Sequence, residues 1–259
     1  MPIANVNGQS INYADSGGTG PAVLFSHGFL MDHTMFDQQV EALADDYRCV
    51  AWDERGFGAT PATGPFSYWD SADDAVALLD HLGVDRAVFV GMSQGGFLSL
   101  RAALAHPDRV RALALIDSQA GVDDAETLEG YRGMISHWLS DEPLGDVGQY
   151  VASLIIGEPE LSSQWIEIWE TRRDPQIEFA AGALLDRDDV TDRLGEIACP
   201  VLSIHGGDDQ AITVDRAEAL QKAVPDPRGL VVVPGAAHAP NMTDPDIVNP
   251  ALFDFLGSV

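Results

Sequence analysis

Short apolar runs that alternate with helical stretches constrain this chain more than any other feature. PAVLFSHG, RCVAWD, AVFVG, VRALALIDS, PVLSIHGG and GLVVVPG are strand-like and bounded by turn residues. Helical spacing fits Met35 to Leu43, and WDSADDAVALLDHLG reads as a capped helix with Gly83 past its end. QGGFLSLRAALAHP is a helix stopped by Pro107; VDRAEALQKAV and a closing segment from Asp246 to Leu256 are also helical. Ahead of these, IANV and SINYAD alternate around Asn7-Gly8, a strong hairpin signal. Strands that alternate with helices imply a parallel sheet covered by helices on both faces. The expected fold class is α/β, a mostly parallel, doubly wound sheet.

Residues 122–196 break that rhythm. They contain no convincing buried strand and read as helical, with Tyr131, Trp138, Tyr150, Trp165, Trp169 and Phe179 spread through them. The expected organisation is one domain, with a core of residues 1–121 and 197–259 and a helical cap inserted as 122–196. Aromatic residues usually pack, but Trp138, Trp165 and Trp169 are the candidates for lining a substrate pocket.

Composition narrows the partners. With 41 acidic and 14 basic residues the net charge is -27, which disfavours nucleic acid and anionic membrane surfaces. The start, MPIANVNGQS, lacks a basic segment followed by an apolar core, and no apolar run reaches the ~18 residues of a membrane helix. The expectation is a cytoplasmic protein. Cys49 and Cys199 lie in or beside apolar runs without metal-site spacing, so they read as reduced, buried thiols, and no metal site is expected.

Chemistry concentrates at AVFVGMSQGGFLSL, residues 87–100. G-x-S-x-G is weak alone, but here an apolar strand precedes Ser93 and a helix follows it. Such a turn strains the serine backbone and lifts its hydroxyl above the sheet, while Gly91 and Gly95 leave room where strand and helix crowd. The serine needs a base, and the base needs an orienting acid. Of seven histidines, His238 alone follows a strand in a loop of small residues, GAAHAPN, late in the chain. His27 reads as shaping its loop, His205 as structural, and His33, His81, His106 and His137 as surface or packing residues. In the chain order serine, acid, histidine, Asp208 and Asp209 of HGGDDQ compete, with Asp117 after VRALALI as a rival. The backbone N–H groups of Gln94 and Phe29 are the expected oxyanion donors.

Taken together, SHGF, WDERGFG, GMSQGG, HGGDD and GAAHAPN, in that order, resemble the α/β-hydrolase superfamily over essentially the whole chain. The resemblance implies an eight-stranded sheet, a cap after the sixth strand, Ser93 as nucleophile and His238 as base. It implies Asp209 as the acid, because G-x-x-D matches Gly206 to Asp209. Asp53-Glu54-Arg55-Gly56 resembles a structural D-x-R-G turn, with Arg55 bracing the loop. The H-G-G-G motif of some lipases is absent. The implied reaction is cofactor-free hydrolysis of a small carboxylic ester or lactone through an acyl-enzyme. Carbon–carbon bond hydrolysis, a perhydrolase akin to the cofactor-free haloperoxidases, and a ligand receptor on the same fold are the alternatives.

Overall fold

The computed structural model describes residues 1–173 and 176–259. Strands β1 (Ile3–Val6) and β2 (Gln9–Asp15) form the expected hairpin, with Asn7 at φ 49 and Gly8 at φ 73. Next come β3 (Ala22–Ser26), a 3-10 turn (His33–Phe36), α1 (Asp37–Leu43), β4 (Arg48–Trp52) and α2 (Tyr68–His81). They are followed by β5 (Ala87–Met92), α3 (Gln94–Ala105) and β6 (Val110–Ile116). Four helices then intervene: α4 (Ala125–Trp138), α5 (Gly145–Ile155), α6 (Pro159–Thr171) and α7 (Ile177–Leu185). After a second 3-10 turn (Thr191–Glu196), the chain closes with β7 (Val201–Gly206), α8 (Val214–Ala223), β8 (Pro227–Val233), α9 (Pro240–Thr243) and α10 (Pro245–Leu256).

The eight strands form one sheet in the order β1-β2-β4-β3-β5-β6-β7-β8. Pairings β1·β2 and β2·β4 are antiparallel, and β4 through β8 pair in parallel. Side chains alternate across the sheet with period two. Val23, Phe25, Val88 and Val90 pack on one face with Val248, Leu252 and Phe255 of α10. Leu24, Val50, Phe89 and Leu113 face the other way, toward Ala75 and Leu78 of α2, Leu98 of α3 and Leu220 of α8. The helices therefore cover both faces, as the alternation predicts.

The details differ at the margins. The helix expected from Met35 begins as the 3-10 turn and becomes α-helical only at Asp37; Asp32 caps it by accepting from Thr34 N. Helix α2 starts with a reciprocal Ser67–Asp70 capping box. Strand β8 is an edge strand with Val232 at 43% exposure, so its apolar run does not mark full burial. Cys49 and Cys199 are buried and unpaired; burial pushes their thiols up to about 12 and about 11, which keeps them protonated and inert. Among the described residues no helix is long and apolar enough to cross a membrane.

Packing is tight at the turn from β5 to α3. A Cβ on Gly91 would lie 2.2 Å from Gly95 O, and one on Gly95 would lie 2.0 Å from Ser26 O. Both obstacles are backbone, so neither can swing aside. Gly95→Ala is expected to destabilise the fold by about 3 kcal/mol or more, the upper end for an overpacked methyl. Denaturant unfolding checks this; a loss under about 1 kcal/mol would show that α3 can slide away from β3.

Candidate active site

Because β3 to β8 run in parallel, the segments leaving β3, β5, β7 and β8 emerge at the same sheet edge, where ligand crevices of open α/β sheets lie. A cavity of about 480 Å³ sits there, and Phe29, Ser93, Ile212 and His238 line it, one from each of these four segments. Helices α4 and α5 contribute Thr127, Tyr131, Met134, Tyr150, Val151 and Leu154 to its walls. The wall mixes apolar side chains with polar and charged ones, Asp123, Asp124 and Arg216 among them, and burial pushes the Tyr131 phenol up to about 12, so its hydroxyl stays neutral.

Ser93 occupies the strained position that the glycines permit, at φ 51 and ψ -114. The strain is held from both sides. Ser93 N–H donates to Ile116 O at 2.9 Å, and Ser93 O accepts from Ser118 Oγ at 2.9 Å and from Gly96 N at 2.9 Å. Its residue is 9% exposed, at the cavity surface.

His238 is 5% exposed, and its Nδ1 lies 2.7 Å from Asp209 Oδ2. The other Asp209 oxygen accepts from Ala211 N at 2.8 Å and Ile212 N at 3.1 Å. Burial alone would raise the Asp209 carboxyl. The His238 charge and the hydrogen bonds from His205 and His238 overcome that and hold it far below the usual carboxylate range. An ionised Asp209 accepts, so Nδ1 carries the proton and Nε2 is left bare, the tautomer a general base needs. Asp208, its neighbour, is exposed and does not join them.

Asp117, the rival acid, lies behind this pair rather than in the cavity wall. It is fully buried, adopts φ 45, and accepts from Gly206 N at 2.8 Å through Oδ1, while Oδ2 has no partner among the described residues. Burial, then the adjacent Asp209 charge, pushes its carboxyl well above its ordinary value, which favours the neutral acid. His205 Nε2 sits 3.3 Å from Asp209 Oδ2, 3.6 Å from Asp117 Oδ1 and 2.7 Å from Ile212 O. The histidine read as structural thus also buttresses Asp209. Its place in the strand run PVLSIHGG hid this: the contact needs the turn after β7 to bring Asp209 back over the strand end, with Asp209 N–H donating to Gly206 O, and only the approach to Asp117 depends on β6 and β7 being neighbours.

Phe29 and Gln94 flank Ser93, one on the loop after β3 and one opening α3. Neither backbone N–H has an acceptor among the described residues, so both donors are available. The three candidate pocket tryptophans go elsewhere. Trp138, Trp165 and Trp169 line a second cavity of about 570 Å³, not the one that holds Ser93. The reason is helical position. Thr127, Tyr131 and Met134 of α4 reach the first cavity, whereas Trp138 lies one turn further on and turns onto Trp169, 5.5 Å away between ring centroids. Of the aromatic residues spread through the insertion, Tyr131 and Tyr150 are among those that line the Ser93 cavity.

Two groups each bring three histidine or carboxylate donors within 4.8 Å of one another: Asp32–His33–Asp53 and Asp117–His205–Asp209. In the second, Asp117 Oδ2 and His205 Nδ1 have no partner among the described residues, whereas in the first the donors of His33 and Asp53 bond each other. Asp53 accepts from Asn12 Nδ2, Ala59 N and His33 Nδ1, and burial of its carboxyl is outweighed by these bonds and the histidine charges, bringing it to about 2. Arg55 braces the same loop through Asp74, at 2.5 Å.

The family model described as the alpha/beta hydrolase fold matches residues 21–245. The chain belongs to the α/β-hydrolase fold family. This α/β-hydrolase is 26% identical over 251 residues to 3-oxoadipate enol-lactonase 2 of Acinetobacter baylyi, covering 94% of this chain and 91% of that one. Among solved structures it is similar to a thermophilic esterase from Thermogutta terrifontis (TM-score 0.90, 28% identity, 99% of this chain and 98% of that one). The enol-lactonase from Burkholderia xenovorans is comparably similar, with TM-score 0.89, 26% identity and coverage of 99% and 100%. The activity class that follows is hydrolase.

Proposed function

We propose that this α/β-hydrolase cleaves a carboxylic ester or lactone through an acyl-enzyme on Ser93. The observation that carries the reading is one cavity shared by a strained serine and a histidine whose far nitrogen is bonded to buried, ionised Asp209. Ser93 Oγ attacks the carbonyl carbon while His238 Nε2 takes its proton. Asp209 keeps the tautomer and balances the imidazolium. The N–H groups of Phe29 and Gln94 receive the developing oxyanion, and the N-terminus of α3 adds favourable potential. His238 then protonates the leaving oxygen, and on the second half-reaction it activates water to release the acid. Residues 122–196 act as a cap, and the cavity of about 480 Å³ suits a small to medium substrate. The similarity to an esterase and to enol-lactonases points the same way.

The test offers purified protein short and long acyl esters, lactones, a vinylogous diketone, and peroxide with acetate, alongside a fluorophosphonate probe. Ester or lactone turnover is expected, with the phosphonate mass added at Ser93 and turnover blocked in step. Preference for the diketone or for peroxide would replace the ester reading, and binding without turnover on any of them would sink it.

A further inference from the structure

The loop that carries Phe29 is a tight turn. Met31 N–H donates to Gly28 O at 3.1 Å, and Leu30, its third residue, adopts φ 67. That left-handed conformation suits glycine and strains a leucine. The first half of the turn is held from the core: His27 Nε2 accepts from Glu54 N at 3.0 Å, so its Nδ1–H donates to Gly28 O at 2.8 Å. Burial keeps the His27 ring neutral, which this pair of bonds requires. The strained half is held from the inserted helices. Trp169, 4% exposed on α6, donates its indole N–H to Leu30 O at 2.8 Å. Trp138 and Trp165 pack on Trp169 at centroid distances of 5.5 and 6.3 Å, so the indole has little freedom to turn away. Leu30 and Met31 also form the wall shared by the two cavities.

We infer that Trp169 is a positioning residue for the oxyanion turn, clamping the Leu30 carbonyl so that the strained turn presents Phe29 N–H to the acyl oxygen. This rests on the Ser93 acyl-enzyme reading. It gives the inserted helices a part in catalysis beyond covering the cavity: α6 governs the aim of a donor carried by the loop after β3. The energy involved in one neutral hydrogen bond is modest, but a donor misaimed by a fraction of an ångström loses much of its value to a transition state.

Trp169→Phe removes the N–H and keeps an aromatic ring. Loss of an oxyanion donor outright costs ~10²–10³ in kcat, so misaiming it is expected to cost about tenfold in kcat with KM within twofold. Affinity for an alkyl boronic acid, whose adduct places a negative oxygen where the oxyanion forms, should fall by a similar factor. A kcat within twofold of wild type overturns the inference, as does a loss of kcat with unchanged boronate affinity. Should Trp169→Phe fail to fold, benzothienylalanine at position 169, which exchanges only the N–H for sulfur, carries the same test. Ser93→Ala run in parallel separates the two claims: turnover that survives it defeats the acyl-enzyme reading itself, whereas turnover lost there but untouched in Trp169→Phe defeats only the clamp.

Discussion

Alanine at position 93 is expected to lower kcat on an ester by about 10⁵- to 10⁶-fold, the scale of losing a nucleophile whose partners act only with it. KM should change little, because the hydroxyl contributes to the transition state far more than to binding the neutral ester. Steady-state kinetics on the best substrate of the panel measures both. The backbone adds a second readout. Ser93 is held at φ 51 by hydrogen bonds to Ile116 O and from Ser118 Oγ, and alanine inherits that strain. Glycine does not, so Ser93→Gly is expected to be as inactive as Ser93→Ala yet more stable than it by roughly 1 kcal/mol. Residual activity above about one per cent in both variants would mean that another group attacks the substrate.

The second large effect separates two carboxyl groups that lie side by side. Asp209→Asn is expected to cost about 10⁴-fold in kcat. The amide can donate to His238 Nδ1 and so favours the tautomer with Nε2 protonated, which cannot accept the serine proton. Asp117→Asn should cost less than about fivefold, because burial and the Asp209 charge already favour a neutral Asp117 and asparagine is its neutral isostere. Asp117→Leu is the harsher change: Gly206 N, which donates to Asp117 Oδ1 at 2.8 Å, loses its acceptor in a buried place. The measurement is kcat for the three variants at neutral pH with melting temperatures alongside. A large loss in Asp117→Asn with a small one in Asp209→Asn would reverse the assignment.

Much of the site is legible along the chain. Ser93, Gln94 and their glycines form one contiguous strand–turn–helix, so local pattern suffices to find them. His238 is picked out by its loop of small residues after a strand, while the residues alone leave Asp208 and Asp209 open and the preference for Asp209 is what the resemblance to the G-x-x-D pattern implies. In the structure Asp208 faces solvent and Asp209 bonds the His238 ring. The tryptophans of the insertion were not legible in the same way. Helical periodicity orders residues around one axis, but it does not say which of two cavities each face meets; that depends on how α4 and α6 cross.

The alternation of strands and helices, the parallel class and the serine turn follow from the chain's own patterning, because strand and helix periods and turn residues act over a few neighbours, whereas the strand order is set by long-range pairing. The raised carboxyl of Asp117 and the indole bond to Leu30 O come from three-dimensional packing. Both depend on groups far apart in sequence, 92 residues between Asp117 and Asp209 and 139 between Leu30 and Trp169, meeting where water is excluded. A carboxyl's charge state and a loop's strain are properties of that dry contact, and no local sequence pattern encodes them.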